Sequence, residues 1–176
     1  MDNWTDNRSR WRSSSNSIKQ MSLTKKIISL LIFNIFAFGA SAWGGLVTSL
    51  YKEPWYSTII KPSFNPPDWV FAPVWITLYL VMSVAIWLIW ISPKRSEKVI
   101  YIYFIHLLIN GSWSLFFFGL HLILVSLIII ALIIFLVAWL IKLYYPINKL
   151  SAFLMVPYLA WLSYAFVLNF YIFILN

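Results

Sequence analysis

Asn110, Trp113, Tyr158, Trp161 and Asn169 are polar or carry a polar handle, and they stand in stretches that are otherwise apolar. Asn110 and Trp113 are three residues apart, and Tyr158, Trp161, Ala165 and Asn169 follow one another at intervals of three or four. At that spacing each set lies along one helix face. An amide brings donors and an acceptor, a phenol one of each, and an indole a large apolar plate with one N–H. Groups of this kind hold a molecule and do not cut one. The chain has no cysteine, hence no thiolate nucleophile or thiolate metal ligand. Paired carboxylates, a nucleophile–base pair and a glycine-rich phosphate loop are also missing, so no catalytic residue is assigned. His106 and His121 are distant from each other and make a poor metal site, and a haem with an axial histidine has little support. Asn110 also has a plainer use, a hydrogen bond across helices worth about 0.6–2 kcal/mol. Asn169, near the end of its stretch, has the alternative of capping a helix or meeting water.

The elements that must position these residues are membrane spans. Of 176 residues, 62% are hydrophobic and 10% charged, against about 25% charged in soluble domains. That points to an all-α integral membrane domain in a lipid bilayer. Spans are expected at about 27–48, 72–92, 97–118, 121–143 and 150–175. The uncharged run 99–141 has 43 residues. As one helix it would measure ~64 Å, about twice the ~30 Å hydrocarbon thickness. It must fold back, and Gly119-Leu120-His121 is the expected turn. Pro157 is expected to bend the fifth span by leaving the carbonyl of Phe153 without its donor. Ala40 and Gly44, like Ser41 and Gly45, form small pairs that admit a neighbouring backbone. No Asp, Glu, Lys or Arg falls in the interior of a span, Glu97, Lys98 and Lys142 standing at span ends, which disfavours ion-driven pumps and transporters.

The net charge of +8 raises nucleic acid as a partner, but its placement argues for orientation instead. Eleven of the thirteen Lys/Arg fall on the side of the N-terminal tail and the 2–3 and 4–5 connections. Only Lys52 and Lys61 fall on the other. The positive-inside rule then puts the N-terminus in the cytoplasm and the long first connection outside. Residues 1–24 are basic and Ser/Asn-rich, and are expected to be disordered.

That first connection, 50–71, carries Pro54, Pro62, Pro66 and Pro67 among Trp55, Tyr56, Phe64, Trp69 and Phe71. The prolines forbid a continuous helix, and the aromatics suit either a membrane boundary or a cover for a ligand. The ends of the first, second, third and fifth spans face the same leaflet as this loop. An aromatic pocket under it, edged by a few amide and phenol groups, fits the usual character of a small-molecule site.

The spacing across the chain resembles that of the TspO/MBR family of tryptophan-rich sensory and translocator proteins. The matching residues are Trp55-Tyr56, Lys61-Pro62, Pro66-Pro67, Trp69-Val70-Phe71, Pro73-Val74-Trp75 and Leu78-Tyr79. Asn110 with Trp113, Phe117-Phe118-Gly119, Pro157-Tyr158-Leu159-Ala160-Trp161 and Leu168-Asn169 continue the series over roughly 25–176. The resemblance implies a five-helix, commonly homodimeric membrane protein that binds porphyrins, haem and often sterols beneath the first loop. It has no obligatory cofactor, and its role is in tetrapyrrole handling or stress signalling. Carried over, the pocket comprises Trp55, Asn110, Trp113, Trp161 and Ala165, with Tyr158 on the same stripe. Tyr56, Pro62, Pro66, Pro67 and Trp69 shape the lid. The Lys or Arg of the proposed sterol motif is absent after Tyr171, which weakens the case for sterol. Two alternatives stand beside ligand binding: light-driven porphyrin degradation with Trp55 and Trp161 as electron donors, and a purely structural membrane subunit.

Overall fold

The computed structural model describes residues 21–176. Of the expected tail, residues 1–20 lie outside the described residues, and Leu23 and Thr24 are already helical. Every regular element among the described residues is a helix. Five are long and apolar enough to cross a membrane.

The first span is α1, Leu23–Tyr51. It starts earlier than expected because Ser22 caps it, its Oγ accepting from the Lys25 N–H at 3.4 Å. Lysine is a good helix former, so Lys25 and Lys26 end the apolar run without ending the helix. The loop that follows holds a short helix, α2 (Trp55–Thr58), and a 3-10 turn, Asp68–Val70, that feeds the second span. That span is α3, Phe71–Trp90, and it stops just short of the expected 92, in the Ile91–Pro93 turn. The third is α4, Glu97–Ser114, continued by a π-helical turn, Leu115–Gly119. The reversal falls at His121, which has a positive φ of 56°, sparsely populated by non-glycine residues. The fourth span is α5, Ile123–Tyr144. The fifth is divided into α6 (Lys149–Leu154) and α7 (Val156–Leu175), broken at Met155. Pro157 has no N–H for the Phe153 carbonyl, so the ladder fails there.

Around the bundle α1 lies between α3 and α4, α5 packs on α4 and on α7, and α6 closes the ring against α3. The densest packing is at the end remote from the long loop, where Ile86, Ile89, Tyr103, Leu140 and Met155 are all fully buried. Towards the loop, α3 has little contact with α7, and the bundle opens. On the other side of that opening α1 and α4 stay close. A Cβ on Gly44 would come within 3.2 Å of Ser114 Oγ, and Gly111 faces Ala40. Gly44 and Gly111 therefore serve packing within the chain, whereas a Cβ on Gly45 would meet nothing within 4 Å.

Candidate functional site

The opening is a cavity of about 510 Å³ between α1, α3, α4, α5 and α7, roofed by the first loop. Three tryptophans line it, Trp75 from α3, Trp113 from α4 and Trp161 from α7. Each is held by another ring. Trp113 stacks on Phe117 at 4.9 Å, Phe71 meets Trp161 edge-on at 6.0 Å, and Trp75 tilts against Tyr79 at 5.6 Å. The Nε1 atoms of Trp113 and Trp161 are inaccessible and have no hydrogen-bond partner among the described residues. The cavity therefore meets carbon surface of both indoles, not their N–H groups.

Two of the amides in the wall, Asn110 and Asn169, are buried. Asn110 Oδ1 accepts from the Tyr79 hydroxyl at 3.0 Å, and its Nδ2 donates to Tyr158 Oη. Tyr158 Oη lies 2.9 Å from His106 Nε2. Which of the two atoms donates follows from the tautomer of the His106 ring. This network binds α3, α4 and α7 and uses one of the two Asn110 Nδ2 hydrogens. Asn169, also in the wall, is buried and donates to Ser126 Oγ at 2.9 Å. Each of the two amides thus has one Nδ2 hydrogen that no acceptor takes among the described residues.

The lid is tied at both ends and in the middle. Lys52 pairs with Asp68, joining the end of α1 to the turn before α3. Trp55 stacks on His121 at 4.3 Å. Tyr164 Oη donates to the Phe64 carbonyl at 2.8 Å. Asn176 closes a two-way pair with one backbone unit: Nδ2 donates to the Ile60 carbonyl and Oδ1 accepts from the Ile60 N–H, both at 2.9 Å. Within the loop Tyr56 is buried and donates to Asn65 Oδ1 at 3.3 Å. Burial raises its phenol above the ordinary value, and the charges of Asp68 and Glu53 push the same way.

Asn110, Trp113, Trp161, Ala165 and the lid residue Tyr56 thus line one cavity. Trp55 and Tyr158 do not. Trp55 is drawn to the α4–α5 turn by His121 and Phe117, and Tyr158 stands one layer behind Asn110. Pro62 is buried within the loop, while Pro66, Pro67 and Trp69 shape its course outside the wall, Trp69 being 74% exposed. Asn169 neither caps its helix nor faces water, since Ser126 holds it inside. Tyr79 and Phe117 join the wall although sequence reasoning gave them no role. Tyr79 carries a signal, a phenol one turn beyond Trp75 on the same face. The π turn that sets Phe117 has none.

A multi-pass bundle of five spans built around an aromatic interhelical cavity is an integral membrane protein of the pocket-bearing kind. The chain belongs to the TspO/MBR family, which it matches over residues 31–175. It is 32% identical to the tryptophan-rich protein TspO of Chlorobaculum tepidum, over 88% of this chain and 99% of that protein. A TspO of Archaeoglobus fulgidus is 33% identical, over 89% and 99% of the two chains. The human translocator protein is 35% identical, over 66% of this chain and 71% of its own.

Proposed function

We propose that the cavity binds a flat, largely apolar tetrapyrrole of the porphyrin or haem class, and that the protein senses or carries it. The observation that carries this reading is the single void bounded by Trp75, Trp113 and Trp161 and edged by Asn110 and Asn169. Indole carbon surfaces suit a planar macrocycle, and the volume falls within the range of small-molecule pockets. The names of the relatives, tryptophan-rich sensory protein and translocator protein, support a sensing or carrying role. Photodegradation draws less support, because Trp55 packs on His121 outside the wall that Trp161 lines.

Quenching of tryptophan fluorescence by protoporphyrin, titrated in the dark on purified protein, tests the reading. Saturable binding of micromolar order, about −8 kcal/mol, is expected. Trp87→Ala should leave it unchanged, since that indole donates to the Lys26 carbonyl at 2.9 Å at the far end of the bundle. An absence of saturable binding would favour a purely structural subunit.

The orientation and the assembly belong to the same proposal. The basic asymmetry supports a cytoplasmic N-terminus, and family membership supports a homodimer. A monomer in lipid nanodiscs counts against the dimer. Because Gly44 and Gly111 already pack within the chain, the contact would use other surfaces.

A further inference from the structure

We propose that Asp68 is a built-in competitor for Lys52, and that the pair makes the cavity favour planar ligands bearing a carboxylate over their neutral counterparts. The proposal rests on the tetrapyrrole reading above and adds which member of that class the site selects, and by what means.

Among the described residues that line the cavity, Lys52 is the one cation and Glu53 and Asp68 are the two acids. Lys52 stands at the end of α1, where the wall reaches the surface: its side chain is 22% exposed, against 57% for Glu53 and 64% for Asp68. The ammonium is paired with Asp68 and lies 4.0 Å from Glu53. The other cation of the lid, Lys61, is committed elsewhere. Its Nζ donates to the Tyr56 carbonyl at 2.5 Å, lies 4.3 Å from the centre of the Tyr56 ring, and does not reach the wall.

A ligand whose apolar body fills the tryptophan-lined interior therefore leaves its polar edge at Lys52. A neutral edge finds the ammonium already satisfied and gains nothing from it. A carboxylate edge can take the place of Asp68, which is exposed and recovers its hydration when released. Exposed ion pairs contribute little, so the exchange costs little, while the new pair forms against the cavity wall where screening by water is weaker. The two acids hold the rim one negative charge beyond balance while Lys52 is its only cation. That excess opposes an entering anion until Asp68 swings away. Asp68 thus acts as a placeholder that keeps Lys52 neutralised in the empty site and lowers the affinity for anions.

The test compares protoporphyrin, a dicarboxylate, with its dimethyl ester on the wild type, Asp68→Asn and Lys52→Gln, by fluorescence quenching in detergent at low and high salt. Asp68→Asn is expected to tighten protoporphyrin about three- to tenfold at low salt, and the gain should shrink as salt screens the rim. Lys52→Gln should weaken protoporphyrin several-fold. The ester should bind all three proteins alike, and that constancy shows that the variants keep an intact cavity. If the ester and the dicarboxylate respond equally to Asp68→Asn, or neither responds, the competitor role is overturned while the pocket stands. If neither compound binds the wild type, the tetrapyrrole reading falls and takes the proposal with it.

Discussion

At the scale of single residues, the indole carbon of Trp161 and not its nitrogen should carry binding. Its Nε1 is shut away from the cavity and unpaired among the described residues, so Trp161→Phe removes no contact that a ligand uses through that N–H. Trp161→Ala is expected to weaken protoporphyrin by ~2 kcal/mol, as for a central aromatic anchor. Trp161→Phe should cost clearly less, and quenching of the remaining tryptophans measures both. Equal losses would mean that the ring turns on binding to offer its N–H. The face shared by Asn110 and Trp113 and the stripe from Trp161 to Ala165 were legible from three- and four-residue spacing alone. Depth was not. Tyr158 sits on the same stripe as Trp161, yet it lies behind Asn110, because spacing fixes the direction in which a side chain leaves its helix and says nothing of what stands in front of it. Trp55 was misplaced for another reason: its position depends on His121, sixty-six residues on, whose positive φ turns the α4–α5 connection towards the lid.

Among the elements, the lid is the part whose behaviour follows most directly from its ties. The Asn176 amide uses both Nδ2 hydrogens, one on the Ile60 carbonyl and one on the Ile172 carbonyl, and its Oδ1 receives the Ile60 N–H. An aspartate in its place cannot donate to either carbonyl. Asn176→Asp is accordingly expected to loosen the lid and to speed porphyrin dissociation several-fold in stopped-flow measurements, with a smaller change in association. An unchanged dissociation rate would show that the remaining ties hold the lid unaided. Proline content identified this loop as irregular, but not the short helix α2, whose Trp55 and Tyr56 pack on Phe117 and His121, nor the 3-10 turn that leads into α3. Pro157 marked the break in the fifth span correctly to within two residues, the interruption falling at Met155.

For the whole molecule, the five spans could be counted from length and charge, because hydrocarbon thickness admits few other solutions. Their order around the bundle could not. Helices that face lipid outside and apolar neighbours inside carry no amphipathic stripe to say which side is which. Sidedness remains open to a direct measurement, and a chain without cysteine suits it. In intact cells an impermeant thiol reagent should label Ser57→Cys in the lid and spare Ser96→Cys at the start of α4; the reverse pattern would put the lid in the cytoplasm. The tie between Asn176 and Ile60 has a further practical consequence. A fluorescent protein fused directly after Asn176 would hang on the residue whose side chain holds the Ile60 backbone of the lid, so its bulk would strain that tie. The same fusion ahead of Ser22, at the opposite end of the bundle, would report the protein's presence and leave the roof alone.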